Sequence, residues 1–287
     1  MSERGRVVAA HGRQYVVETA DGRRLPCFPR GKKSEIACGD WVEFGRASAD
    51  QGVIEGTEPR RSLLYRANEF RQKLIAANAD QIVVVVACEP AFSEELLTRA
   101  LLAAESQDIA SLIVLNKCDL ADKLAAARGQ LADLRSIGYR VVELSARNDA
   151  GPLLPLLRGR TSVLVGQSGM GKSTLVNSLI PGAGAAIREI STALDSGKHT
   201  TTHACLYHLD ADSHLIDSPG LQEFGLAQLD HEQLAQCFIE FRPVLGQCRF
   251  RNCRHDREPG CALQAAAESA LISSARYRLF KRIAGLT

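Results

Sequence analysis

The chain has 287 residues, 45% hydrophobic and 24% charged, a composition typical of a globular protein with room for two or three domains. Its longest apolar run, residues 82–88, is far too short to cross a bilayer, and the first residues contain no apolar signal region. This composition argues against a membrane protein, and we expect a cytoplasmic one.

The net charge of +2 is unevenly distributed along the chain. Residues 1–79 carry 14 Lys and Arg against 10 Asp and Glu, residues 80–220 carry 12 against 16, and residues 242–287 carry 9 against 3. Basic ends around an acidic centre suit a protein that holds a polyanion with its ends. Ordinary solvated surface charge would give the same distribution.

Residues 5–59 predict an all-β domain, because short strand-like runs alternate with turn residues such as Asp21-Gly22. The five predicted strands are Arg6–Val8, Gln14–Glu18, Arg24–Phe28, Asp40–Phe44 and Gly52–Glu55. Such strands suit a small barrel of the OB type, which often binds oligonucleotides, and an SH3-like barrel would give a similar pattern. Basic residues on its loops are either RNA-phosphate contacts or simply exposed charges: Arg23, Arg24, Arg30, Lys32 and Lys33.

A different pattern begins near residue 80, where apolar runs alternate with helical periodicity, and the basic, polar residues 59–73 before it predict a connector. Three runs predict strands of a mostly parallel sheet: Gln81–Ala87, Ala110–Leu115 and Tyr139–Glu143. The helices predicted between them are Glu94 to about Glu105, capped by Ser93, and Asp122–Ile137, ended by Gly138. Strands alternating with helices indicate an α/β domain.

Two of these strands run into polar residues that could read a nucleotide base. The second continues into Asn116-Lys117-Cys118-Asp119 and the third into Ser145-Ala146. Ligands of such sheets bind at the carboxyl ends of strands, so both segments are placed to meet one ligand. The Asp119 carboxylate can accept from the N1–H and the 2-amino group of guanine, a donor pair that adenine lacks. Asn116 and Lys117 would brace the base and the loop, and the Ala146 amide could meet the guanine O6.

Residues 166–174 fit the phosphate-binding pattern GxxxxGK[ST] at every fixed position, between a predicted strand over 161–165 and a predicted helix over 173–179. Glycines let backbone N–H groups surround a phosphate chain, and the helix N-terminus adds partial positive charge. Lys172 would reach the β and γ phosphates, and the Ser173 hydroxyl would hold Mg²⁺. The predicted loop comprises Gly166, Gln167, Ser168, Gly169, Met170, Gly171, Lys172, Ser173 and Thr174.

The polar residues 188–203 follow the loop helix and contain three consecutive threonines. Their hydroxyls are candidates for contacts with Mg²⁺ and the γ-phosphate. Thr201 is the favoured Mg²⁺ ligand, with Thr200 and Thr202 as alternatives.

Residues 204–209 and 214–216 predict paired strands, and the second runs into the DxPG pattern of residues 217–220. Asp217 would hold Mg²⁺ through water, and the Gly220 amide would contact the γ-phosphate. The pattern follows the phosphate loop by about 45 residues and comes directly after a strand, which favours the functional interpretation.

Three cysteines and one histidine lie within 14 residues near the C-terminus: Cys248, Cys253, His255 and Cys261. Three thiolates and an imidazole form the closed four-ligand set typical of structural zinc, and reduced cysteines without metal are the alternative. Arginines alternate with these residues, so folding around zinc would present a surface suited to RNA phosphate: Arg249, Arg251, Arg254 and Arg257. Residues 262–286 predict helical structure with a basic end.

The motifs occur in the order NKxD, SA, phosphate loop, threonine segment and DxPG, a circular permutation of the usual GTPase order. With a predicted N-terminal barrel and a C-terminal cysteine cluster, the chain resembles the RsgA (YjeQ/YloQ) family of bacterial small ribosomal subunit-dependent GTPases. The resemblance implies a GTPase, with Mg²⁺ and one structural zinc ion, that binds the small (30S) subunit and its rRNA late in maturation and is stimulated by it. It also implies a barrel over 1–62, a permuted GTPase domain over 63–227 and a helical zinc-binding domain over 228–287. We expect a monomer.

The residue after DxPG is Leu221, where many GTPases have the glutamine that orients the attacking water. Leucine cannot form a hydrogen bond, so another group must position the water. His199, beside the threonines, is the nearest polar candidate, and the resemblance implies the same residue; His203 is the second candidate. We therefore expect slow hydrolysis until the ribosomal subunit orders this segment.

Overall fold

The structure, a computed structural model, describes residues 2–31, 35–48, 50–68, 71–183, 204–218, 224–226 and 228–286. Some residues singled out in the sequence therefore lie outside the described part of the chain: Lys32, Lys33, His199, Thr200, Thr201, Thr202, His203, Gly220 and Leu221. None of the described helices is long and apolar enough to span a membrane.

The first five strands form a barrel: β1 (Glu3–His11), β2 (Gln14–Thr19), β3 (Arg24–Pro29), β4 (Trp41–Arg46) and β5 (Gly52–Thr57). They pair in the order β1-β2-β3-β5-β4, and β4 closes the barrel by pairing with β1. The β3–β5 pair is parallel and the others are antiparallel. This closed arrangement confirms the predicted OB-type barrel. Apolar side chains fill its interior: Val7, Tyr15, Val17, Leu25, Cys27, Val42, Phe44 and Ile54.

The prediction of a connector over residues 59–73 is wrong. A hairpin occupies most of this segment, with strands β6 (Leu63–Asn68) and β7 (Arg71–Ala77). Leu64 and Ile75 are only 1% and 4% exposed and pack into the large core. The apolar residues of the hairpin lie at the strand ends away from the turn, in residues 63–64 and 74–77. Because charged residues lie nearer the turn, the sequence shows no strand pattern there.

The hairpin also joins distant parts of the chain. The Ala77 amide donates to the Cys38 carbonyl of the barrel region at 2.9 Å, and the Gly225 amide donates to the Tyr65 carbonyl at 3.5 Å. The hairpin therefore holds the barrel against the segment that follows the DxPG motif.

The other strands form a six-stranded sheet: β8 (Gln81–Ala87), β9 (Ala110–Asn116), β10 (Arg140–Glu143), β11 (Thr161–Val165), β12 (Ala204–His208) and β13 (His214–Asp217). They lie in the order β10-β9-β8-β11-β13-β12, parallel except for β12. Strand β8 is buried at every position, as expected for a parallel strand covered on both faces. The edge strand β12 pairs with β1, so the sheet continues into the barrel.

The described helices are α1 (Glu94–Glu105), α2 (Ala121–Gln130), α3 (Ala132–Ser136), α4 (Leu154–Leu157), α5 (Lys172–Leu179), α6 (His231–Cys237), α7 (Ala262–Glu268) and α8 (Ser274–Ile283). Helix α1 has the predicted bounds, and the Ser93 hydroxyl accepts from the Leu96 amide at 3.3 Å. The single helix predicted over 122–137 is instead divided at the fully buried Leu131, just after Gly129, which weakens a helix.

The C-terminal region is helical, as predicted, but α7 and α8 are separated by Ala270, whose φ is +59°. Three buried aromatic rings form its centre, with Phe238 stacked on Phe241 and Phe280 edge-on to both. Helices α6 and α8 pack against α1 of the parallel sheet domain. The core therefore runs without a break from the sheet into the C-terminal region.

Candidate functional site

The phosphate-loop sequence connects the end of β11 to the start of α5, as its pattern predicts. Gly166 has a φ of +147°, and a Cβ there would lie 2.3 Å from the Val85 carbonyl oxygen. Gly171 has a φ of +91°, and a Cβ there would lie 2.4 Å from the Asn116 amide nitrogen. Both positions therefore require glycine, because the loop crosses directly over the ends of the neighbouring strands. Ser168, Ser173 and Thr174 are exposed on the loop and the first helical turn.

Lys172 and Asp217 are charged groups withdrawn from solvent: Lys172 begins α5 and is half-buried, and Asp217 ends β13 and is buried. The Lys172 ammonium donates to the carbonyls of Gly166 and Gln167, and burial lowers its pKa, an effect that the Asp217 carboxylate opposes. Burial likewise raises the pKa of Asp217, against the charge of Lys172. Asp217 Oδ1 is buried with no hydrogen-bond partner among the described residues. A phosphate beside Lys172 and a hydrated cation beside Asp217 would relieve both desolvation costs.

Asn116 joins the two base-reading segments to the phosphate loop. Its side chain is 2% exposed; Nδ2 donates to the Met170 carbonyl at 2.8 Å, and Oδ1 accepts from the Ala146 amide at 2.9 Å. The Ala146 amide, which the sequence analysis paired with guanine O6, thus donates to a buried oxygen in this structure and holds Asn116 in place. Its contact with guanine stays a prediction.

Lys117 forms a second connection between the same segments. Its φ is +60°, and its ammonium donates to the carbonyls of Gly169 and Glu89 at 2.7 Å each. Cys118 has a different role from its neighbours, since its thiol donates back to the Leu115 carbonyl at 3.1 Å and burial raises its pKa to about 11. Cys118 could therefore contribute only backbone to a ligand in this arrangement.

Asp119 is the exposed acidic residue of the base-reading edge. A hydrogen bond with the Ser145 side chain lowers the pKa of its carboxyl group. The group is therefore ionised at neutral pH and offers two acceptor oxygens to solvent or ligand. The contact brings together the NKxD and SA segments, which the sequence placed at the ends of two different strands.

Gln167 makes a connection that the sequence did not predict. Its Oε1 accepts from the Ser93 amide at 2.7 Å, at the N-terminus of α1. Ser93 was predicted only as a helix cap, and nothing in the local sequence pairs it with a residue 74 positions later. The phosphate loop is thus attached directly to the helix on which the C-terminal region packs.

The four C-terminal residues proposed as metal ligands come together: Cys248, Cys253, His255 and Cys261. Their ligand atoms all lie within 4.8 Å of one another, and the His255 Nδ1 lies 3.5 Å from Sγ of both Cys248 and Cys261. Zn–S bonds of about 2.3 Å and Zn–N bonds of about 2.0–2.1 Å in a tetrahedron place N and S about 3.6 Å apart. The cluster therefore fits zinc in number, chemistry and spacing.

Arg276 anchors the C-terminal region on α1. Its guanidinium is 2.7 Å from Glu240, donates to the Thr98 hydroxyl at 2.8 Å, and lies 4.9 Å from the Phe238 ring centroid. The side chains of Arg276 and Glu240 are only 6% and 8% exposed. At the solvent-exposed edge of this contact, Arg242 forms an ion pair of 2.7 Å with Glu105, at the C-terminal end of α1.

These features define a class of protein. A phosphate loop between a parallel strand and a helix, bonded to an NKxD segment two strands away, is the nucleotide site of a P-loop GTPase. Because NKxD precedes the phosphate loop along the chain, the domain is a circularly permuted member of that class.

The comparisons with known proteins identify the family. A family model described as RsgA GTPase matches residues 57–227, and the chain belongs to this family. The small ribosomal subunit biogenesis GTPase RsgA of Nitrosospira multiformis is 54% identical, over 98% of this chain and 90% of that protein. The crystal structure of YjeQ from Thermotoga maritima matches with a TM-score of 0.75 and 30% identity, over 99% of this chain and 97% of that one. The structure of YloQ, a circularly permuted GTPase, gives a TM-score of 0.71 at 26% identity, over 99% and 94%.

These matches confirm the predicted family and fold class: a circularly permuted GTPase domain with an N-terminal OB-type barrel and a helical C-terminal region. The assignment of individual site residues rests on the geometry described above.

Proposed function

We propose that this protein is a GTPase that converts GTP to GDP and phosphate, binds the small (30S) ribosomal subunit, and acts late in the maturation of that subunit. The observation that carries the nucleotide part is the Asn116 side chain, which bonds the SA segment to the phosphate loop. Base and phosphates would thus be held by one connected structure. The ribosomal part is supported by the names of close relatives, which describe GTPases of small-subunit biogenesis.

The chain's own residues supply most of the phosphate chemistry. The amides of the loop and the first turn of α5 would bind the β-phosphate, and Lys172 would leave its two carbonyl partners to meet the β and γ oxygens. Mg²⁺ bound with GTP would neutralise charge that develops on the phosphates during transfer. Ser173 would ligate that ion directly, and Asp217 would hold it through water.

Guanine selectivity is assigned to Asp119. Its ionised carboxylate would accept from N1–H and the 2-amino group of guanine, and Ser145 would hold it in orientation. An adenine base presents an acceptor at N1 and no 2-amino group, so it would leave the carboxylate without partners. GTP would therefore be preferred strongly over ATP.

Residues proposed to complete the reaction belong to the part of the chain that the structure does not describe. Thr201 is proposed as the Mg²⁺-sensing hydroxyl, the Gly220 amide as a γ-phosphate contact, and His199 as the group that positions water. The proposal for His199 rests on the leucine at position 221, which cannot orient water itself. Contact with the ribosomal subunit would position His199 and accelerate hydrolysis.

The C-terminal cluster is proposed to hold one structural zinc ion. The donor set is complete with four protein ligands, which leaves no open position for catalysis. Basic side chains of this region and of the barrel would contact phosphates of the rRNA. A cytoplasmic, monomeric protein composed of the three predicted domains, 1–62, 63–227 and 228–287, suits this function.

Multiple-turnover hydrolysis with and without purified small subunits tests the proposal. We expect slow phosphate release from GTP alone, stimulation by small subunits and not by large subunits, and little release from ATP. His199→Ala should abolish the stimulation while GTP binding stays unchanged. If small subunits bind the protein without accelerating hydrolysis, the protein is an RNA-binding scaffold with nucleotide as a structural ligand, and the enzymatic proposal is wrong.

A further inference from the structure

The segment that carries the cysteine cluster, residues 248–261, exposes an aromatic ring between two arginines. Phe250 is 43% exposed, although phenylalanine side chains are usually buried. Arg249 and Arg251 flank it and are exposed as well. We call this segment the arginine loop.

The position of the ring is fixed by backbone contacts of its neighbour. The Arg249 amide donates to the Gly260 carbonyl at 3.0 Å, and the Arg249 Cβ lies against Gly260, where an added Cβ would approach it to 3.0 Å. The Arg249 guanidinium lies 5.5 Å from the Phe250 ring centroid, within the range of a cation–π contact. With Cys248 and Cys253 held on either side, the ring is displayed on a short, anchored stretch.

The two acidic residues of the arginine loop already have partners within the C-terminal region. The Glu258 carboxylate accepts from the backbone amides of Arg254 and Asp256 at 2.9 Å each. The Asp256 carboxylate is 2.7 Å from the Lys281 ammonium. Neither carboxylate is therefore directed at a partner, and the surface around Phe250 is dominated by guanidinium groups.

An exposed aromatic face beside cations has one well-suited partner. Arginines alone would bind the phosphates of any duplex. An exposed aromatic ring binds best to an unpaired base, because the bases of a regular duplex are already stacked on one another. A protein partner would equally cover an apolar ring, yet it would have to provide several carboxylates for the flanking arginines. The charge therefore favours RNA, and the ring favours an unpaired nucleotide.

We infer that Phe250 stacks on an unpaired base of RNA, with Arg249 and Arg251 on the adjoining phosphates. This inference rests on the proposed function, since it specifies how the C-terminal region would contact rRNA. It adds that the region distinguishes single-stranded loops from regular duplex, which phosphate contacts alone do not do.

The test measures binding of the zinc-loaded full-length protein to two labelled RNAs: a hairpin with an unpaired purine loop, and its stem as a blunt duplex. Phe250→Leu keeps apolar volume but removes the aromatic face, and Phe250→Trp restores one. Arg251→Gln is the charge control and Leu271→Ala removes another exposed apolar side chain, 72% exposed, from the same region. Zinc content and thermal unfolding confirm that each variant folds.

Phe250→Leu should weaken hairpin binding by at least about fivefold, since stacking on one base contributes on that scale. Its duplex binding and the salt dependence of hairpin binding should not change. Phe250→Trp should bind the hairpin as tightly as the parent, and Leu271→Ala should have no effect. Arg251→Gln should weaken binding to both RNAs and reduce the slope of log K against log salt concentration by about 1.

The inference is overturned if Phe250→Leu binds the hairpin as tightly as the parent does, or if it loses affinity for the hairpin and the duplex equally. It is also overturned if the variant loses affinity for small subunits but for neither RNA, because the ring would then dock on protein. These outcomes leave the proposed GTPase function intact, which fails separately if small subunits do not stimulate hydrolysis by the parent.

Discussion

Replacement of Asp119 by asparagine tests the assignment of the base-reading carboxylate. The two side chains have nearly the same shape, and Asp119 is exposed at the carboxyl end of β9, so the fold should not be disturbed. In the parent, the hydrogen bond with Ser145 lowers the pKa of the carboxyl group, which is therefore charged at neutral pH. Asparagine removes that charge and turns one acceptor into an N–H donor.

The magnitude follows from the two hydrogen bonds of guanine to this carboxylate. One of them, worth about 1.5–3 kcal/mol as a bond to a charged group, is lost, and the other becomes a bond to a neutral oxygen, worth about 0.5–1.5 kcal/mol. The total cost is about 2.5–4.5 kcal/mol, so GTP affinity should fall by about 10²- to 10³-fold. Xanthine has an oxygen in place of the 2-amino group, and the new amide N–H can donate to it. The variant should consequently prefer xanthosine triphosphate.

Titration calorimetry of each variant with GTP, xanthosine triphosphate and ATP measures these changes directly. Asp122→Asn is the matched control, because Asp122 is an exposed carboxylate in the first turn of α2, three residues farther on. It should leave all three affinities unchanged. If Asp119→Asn binds GTP within about twofold of the parent, Asp119 does not read the base.

Two further predictions concern stability. Arg276→Met leaves Glu240 buried without its partner and should lower the free energy of unfolding, measured by urea denaturation, by about 3–5 kcal/mol. Arg278 is exposed, so the control Arg278→Met should change the free energy of unfolding by less than about 0.5 kcal/mol. Equal losses in the two variants would contradict the role of Arg276 as an anchor. Although burial acts to raise it, hydrogen bonds from His208 and Arg24 lower the pKa of Glu18 to about 2. Because the folded value lies below the unfolded one, the stabilisation is complete above about pH 5 and is lost as the pH falls toward about 2. The difference in unfolding free energy between parent and Glu18→Gln should shrink over that window, and a constant difference would refute this origin.

The sequence predicted those features that depend on neighbours along the chain. The bounds of α1 followed from Ser93 and the apolar periodicity after it, and β8 followed from an unbroken run of β-branched residues. The phosphate loop was predictable because glycine spacing, strand and helix are all local. The metal cluster was predictable for the same reason, since its four residues lie within 14 positions.

The missed features depend on partners that are distant in the chain. The β6–β7 hairpin is stabilised by burial of Leu64 and Ile75 in the large core, which outweighs the charged residues near its turn. The bond between the Ala146 amide and Asn116 was not predicted, because the sequence cannot show that Asn116 would be buried beside it. Both features were missed for one reason, which is that burial, and not the local pattern, decides where polar backbone groups find partners.

Helix α1 gives the permuted order a physical consequence. Its N-terminus is bonded to the phosphate loop through Ser93 and Gln167, and its middle is bonded to the C-terminal region through Thr98 and Arg276. A shift of the loop on nucleotide exchange would therefore act on the same helix that supports the arginine loop's domain. The order of the described elements gives a second link along the chain, since β13, which ends at Asp217, is followed by α6 of the C-terminal region. A rigid helix bonded at both sites provides the continuous contact that a nucleotide-dependent response of the C-terminal region would use.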